Sequence, residues 1–158
     1  MSSEIMSLEM DVFCLLLLIR ILYQMYINRE QNDHWNYFYY TIAWACVYLF
    51  MDAIWIMNVK HLLTFSKIQS GIFNSFYFCS LAMLVCSWYV YVQKTLHSAV
   101  LKHKKILVLT FIPLIFFIGS SLLSYWTHGL FVIDQAGNYH RGKLLPFYFL
   151  ILFAYILY

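Results

Sequence analysis

The stretch Tyr37–Val59, YFYYTIAWACVYLFMDAIWIMNV, decides the fold. It holds one formal charge, Asp52, and no glycine or proline. At 1.5 Å per residue such a helix crosses a hydrocarbon core about 30 Å thick. Outward from it the pattern repeats. Leu8–Ile27 is broken by Arg20 and has Glu9 and Asp11 at its start, Gly71–Val92 carries no formal charge, and Ile106–Leu123 holds Pro113. Proline is tolerated in membrane helices because neighbouring groups satisfy the freed carbonyl. A fifth run, Leu144–Tyr158, is apolar to its last residue but reaches only about 22 Å as a helix. The expected fold is therefore an all-α membrane protein, a multispanning helical bundle forming one domain over 1–158. Five spans are visible, at about 8–27, 37–59, 71–92, 106–123 and 144–158, the fifth cut short.

Composition points the same way. Of 158 residues, 63% are hydrophobic and 11% charged, against about 25% charged in soluble domains. The mean hydropathy is +0.71. Ten Lys and Arg against seven Asp and Glu leave +3, spread along the chain, so no nucleic-acid footprint is present and the lipid bilayer is the expected partner. Cys14, Cys46, Cys79 and Cys86 lie within apolar runs without paired or metal-type spacing and read as buried, inert thiols. The six His residues fall in loops or at helix ends, so no imidazole pair for haem is expected. With no His-Glu-x-x-His, Gly-x-Ser-x-Gly or phosphate loop, the sequence predicts no cofactor, no metal and no catalytic site.

The acidic flank Glu4, Glu9, Asp11 lacks a signal peptide's basic start and reads as the beginning of a retained anchor. The densest basic cluster, Lys102 to Lys105, favours a cytoplasmic third loop under the positive-inside rule. The N-terminus and the loop 124–143 then face outward. In that loop Leu130–Ile133 is β-prone, Asp134–Asn138 reads as a turn with Gly137 at positive φ, and Tyr139–Arg141 returns. A short external β-hairpin between spans 4 and 5 is expected, although the same residue types also allow an irregular loop.

Asp52 is the sharpest functional signal, because a carboxylate inside an apolar span needs a polar partner. Trp55, three residues on, shares its helix face. The pair serves as a ligand, proton or switch site, or else Asp52 is an interhelical hydrogen bond that fixes packing. Arg20 lies in the opposite half of its span and is expected to snorkel to the nearer headgroups. Tyr and Trp residues such as Tyr37, Trp88, Tyr89, Tyr91 and Tyr125 sit near span ends, as interface aromatics do. Trp126, His128, Tyr139, His140 and Arg141 gather donors and flat faces in one outer loop, which suits an anionic or aromatic ligand or simply a solvated loop. The hairpin is expected to cover an outward cleft floored by Asp52 and Trp55, with Arg141 as its cation and Tyr139 as a wall.

The order of these residues is familiar. Leu8-Glu9-Met10-Asp11-Val12-Phe13-Cys14, Asp52-Ala53-Ile54-Trp55, Trp88-x-x-Tyr91 and above all Gly129-Leu-Phe-Val-Ile-Asp134-x-x-Gly137-Asn138-Tyr139-His140-Arg141-Gly142 resemble the membrane input region of GGDEF-domain diguanylate cyclases of Firmicutes. By analogy the resemblance implies about seven helices in the bacterial cytoplasmic membrane, an external N-terminus and a cytoplasmic GGDEF domain making cyclic di-GMP from GTP. It also implies a homodimer for the full-length protein, because cyclase sites assemble from two GGDEF domains. The chain holds no GGDEF motif, so the expected function is sensory input, for an unidentified external or membrane ligand, rather than catalysis. The alternatives are a small transporter or channel subunit, in which Asp52 and Arg20 are pathway residues, and the input region of a sensor histidine kinase.

Overall fold

The computed structural model describes residues 3–27, 33–59, 63, 65–97, 104–134 and 139–157. They form α1 (Ser3–Ile27), α2 (Asp33–Val59), α3 (Lys67–Thr95), α4 (Lys104–Thr127), β1 (Phe131–Ile133), β2 (Tyr139–Arg141) and α5 (Leu145–Leu157). Among the described residues, three helices contain stretches long and apolar enough to cross a membrane: Leu8–Ile27, Asn36–Asn58 and Lys67–Thr95. The apolar stretches Phe111–Thr127 and Leu145–Ile156 are shorter. α4 runs through Pro113 without a break.

Local chemistry sets the boundaries. α3 opens with a capping box, in which the Ser66 hydroxyl accepts from the Gln69 amide at 3.3 Å and Gln69 Oε1 accepts from the Ser66 amide at 2.9 Å. It ends where His97 turns left-handed at φ 50°. α4 stops the same way. His128 takes φ 55° and its amide donates to the Ser124 carbonyl at 2.8 Å, closing the last turn at a position that usually favours glycine or asparagine.

α3 is the centre of the molecule, packing against α2, α4, α5 and β1. Small residues allow that. A Cβ at Gly71 would stand 2.3 Å from the Tyr125 ring of α4, so only glycine fits this approach. Buried Ser80 turns its hydroxyl back onto the Tyr77 carbonyl at 2.8 Å, which satisfies it inside an apolar contact. The core around α3 collects Phe78, Val85, Leu114, Phe117, Phe131 and Tyr148. Phe78 and Phe117 each meet Tyr148 edge to face, with centroids 5.4 and 5.2 Å away, and the Tyr148 hydroxyl donates to the Phe78 carbonyl. Tyr89 differs from its expected interface role: it is 2% exposed and packs edge to face on Tyr155 at 5.4 Å and Phe111 at 6.3 Å. α1 packs along α2 and turns Phe13, Leu16 and Tyr23 outward.

β1 and β2 pair antiparallel with Phe131 opposite Arg141, Val132 opposite His140 and Ile133 opposite Tyr139. Of the expected turn Asp134–Asn138, residues 135–138, with Gly137, lie outside the described residues. The hairpin is fixed at its neck. Ser124 Oγ, fully buried, accepts from the Leu130 and Phe131 amides at 2.9 and 3.1 Å. The Gly142 amide donates to the Leu130 carbonyl and the Leu144 amide to the Gly129 carbonyl, both at 2.9 Å. A Cβ at Gly142 would collide with the Gly129 carbonyl oxygen at 2.1 Å, so this glycine serves the meeting of backbone with backbone.

Candidate functional site

Because the helices alternate in direction, the start of α1, the end of α2, the start of α3, the hairpin and the start of α5 gather at one end of the bundle. Asp52 lies there on α2. Its carboxyl lies near the carboxyl of Asp11 of α1 and the hydroxyl of Tyr77 of α3. The Tyr77 hydroxyl lies 3.2 Å from that of Tyr48, one turn before Asp52, so polar groups of α1, α2 and α3 gather here. One Asp11 oxygen is buried without a partner among the described residues. Arg20, by contrast, is exposed, and Asp11 is the residue of α1 that meets Asp52.

Trp55 continues the same face. Its ring stacks on Tyr77 at 6.3 Å with planes 20° apart and meets Tyr139 of β2 edge to face at 5.8 Å. Tyr139 in turn lies over Phe131, 6.5 Å away and tilted by 29°. Burial pushes the Tyr139 phenol above its ordinary range, and the nearby Arg141 charge opposes that shift.

Between these rings is a cleft of about 420 Å³, within the range of roughly 300–1,000 Å³ usual for small-molecule sites. Trp55 forms one side, Tyr77 and Asn74 of α3 lie at its base, Tyr139 and Arg141 come from the hairpin, and Phe149 from α5. Arg141 is exposed, whereas Asn74 is 2% exposed. Asn74 Nδ2 donates to the Ser70 carbonyl at 2.7 Å, and its Oδ1 has no partner among the described residues.

The structure therefore brings Trp55, Tyr139 and Arg141 to one cleft and sets Asp52 behind it, joined through Tyr77. The other outer-loop residues lie elsewhere. Trp126 is 72% exposed and packs on Tyr125; His128 is the left-handed residue ending α4; His140 is exposed and lies 3.5 Å from Asp134. Asn74, Tyr77 and Tyr48 were not singled out by the sequence, although Asn74, Tyr77 and Phe78 share one face of α3 at helical spacing. The four cysteines are free and half-buried rather than fully buried. Among the described residues no group of three or more His, Cys, Asp or Glu is placed to hold a metal.

Comparison with protein-family models, with curated proteins and with solved structures finds no match. The cleft presents flat rings, one guanidinium and one amide oxygen, with polar side chains of α1, α2 and α3 behind it.

Proposed function

We propose that this chain is a membrane-embedded sensory module, with the hairpin end outside and the cleft reading a ligand for a cytoplasmic output. The carrying observation is that Tyr77 belongs both to the cleft and to the Tyr48–Tyr77–Asp52–Asp11 chain. A ligand that moves Tyr77 acts on the junction of α1, α2 and α3. Unequal affinity for two arrangements of that junction is all a signal requires.

Membrane embedding is supported by the outward apolar faces. Phe13 and Leu16 of α1, Ile115 and Phe116 of α4, and Leu150 and Phe153 of α5 are each more than half exposed, which lipid accommodates and water does not. The bilayer is thus the proposed solvent, in a bacterial cytoplasmic membrane. The external placement of the hairpin is supported by the Lys102 to Lys105 cluster of the sequence under the positive-inside rule. The output, a dimeric diguanylate cyclase of the GGDEF type, rests on the resemblance of the hairpin sequence.

The experiment is to read the gene past codon 158 and measure cyclic di-GMP in cells carrying the complete product. The expected result is an in-frame GGDEF domain and a changed cyclic di-GMP level for Arg141→Ala at normal membrane abundance. Unchanged output in that variant overturns the sensory reading. A complete product without an output domain, moving a solute that Asp52→Asn blocks, establishes the transporter instead.

A further inference from the structure

The cleft has two polar groups at different depths. At its rim the exposed Arg141 offers a planar guanidinium, which pairs with a carboxylate through two parallel hydrogen bonds. In its base Asn74 offers an acceptor: its Nδ2 donates to the Ser70 carbonyl, and its Oδ1 has no donor among the described residues. A buried acceptor in that state is completed by a ligand O–H or N–H. Between the two, Trp55, Tyr77, Tyr139 and Phe149 supply ring faces and edges. Trp55 and Tyr77 are already nearly parallel, so a further flat ring extends an arrangement that exists.

We infer that the cleft binds a small aromatic carboxylic acid bearing a hydroxyl or N–H donor on the ring end away from its carboxylate: Arg141 takes the carboxylate, the aromatic walls take the ring, and Asn74 Oδ1 accepts from the donor. The inference deepens the sensory reading and rests on it. The aliphatic alternative lacks a reason for four rings, and an acid without a donor leaves Asn74 incomplete.

The test uses the full chain in phosphatidylcholine nanodiscs and titration calorimetry with three probes: 4-hydroxyphenylacetate, phenylacetate and 4-hydroxyphenylacetamide. The hydroxylated acid is expected to bind at least about tenfold more tightly than either analogue, since a site built for a hydrogen bond or a charge rejects the ligand that lacks it. Arg141→Gln should make acid and amide equal. Asn74→Ala should make phenylacetate and its hydroxylated form equal while phenylacetate still binds, and that retained binding shows the variant is folded. Equal affinity of the three probes for the unaltered chain, or binding of none, overturns the assignment. So does loss of the acid's binding when phosphatidylglycerol replaces part of the lipid, which makes Arg141 a headgroup anchor. If no probe binds while Arg141→Ala still shifts cyclic di-GMP, the ligand class falls and the sensory reading stands. Tight probe binding with an output indifferent to Arg141→Ala separates them the other way.

Discussion

Trp55 and Tyr139 meet edge to face, centroids 5.8 Å apart and planes at 90°, and through this contact the hairpin rests on α2. Edge-to-face pairs contribute about 0.5–1.5 kcal/mol beyond the area they bury. A double-mutant cycle with Trp55→Leu and Tyr139→Leu, followed by thermal unfolding in detergent, should return a coupling in that range. A coupling near zero would leave the hairpin held by its neck and by Phe131 and Ile133 in the core.

The neck itself depends on Ser124. Its hydroxyl accepts two buried amides, so Ser124→Ala should cost about 1–3 kcal/mol, the desolvation penalty of donors left unpaired. Hydrogen exchange at Leu130 and Phe131 should quicken more than at Phe78, which lies in the neighbouring core. Gly142→Ala should be worse, because the atom in its way is backbone oxygen.

Gly71 makes a different prediction, since the atoms in its way belong to a side chain. Gly71→Ala forces Tyr125 aside and should destabilise by about 1–3 kcal/mol, the usual range for overpacking. Adding Tyr125→Leu should recover much of that loss. A double variant that is simply additive would show that the two residues do not meet.

Orientation is checked by labelling. In a background without the native cysteines, cysteine replacing His140 at the hairpin should react with an impermeant maleimide in intact cells. Cysteine replacing Leu96, exposed at the far end of α3, should react only after permeabilisation. The reverse pattern removes external sensing.

The helices were legible because uninterrupted apolar runs leave few alternatives, and the hairpin because β-branched and turn residues stand side by side. The pairing of Asp52 was less so. Depth already sets Arg20 apart, in the opposite half of its span, and antiparallel helices put the start of α1 level with the end of α2, where the neighbour is Asp11, a group of the same sign. Tyr77 and Asn74 are invisible to formal charge, which Gly71–Val92 lacks, because the polar chemistry of that span is carried by hydroxyls and amides. Trp126 and His128 lie apart from the cleft for a backbone reason: α4 ends through a left-handed histidine where glycine is the usual signal, and the turn directs the chain away.

The most direct test of the central claim, that the cleft and the polar crossing act as one device, is the double-mutant cycle between Arg141→Ala and Asp52→Asn read as cyclic di-GMP in the complete gene product. Each change should alter output at near-normal membrane abundance. Together they should be clearly non-additive, because both act on the same arrangement of α1, α2 and α3. Independent, additive effects, or loss of the protein from the membrane with Asp52→Asn alone, would contradict the account and leave Asp52 as a packing residue.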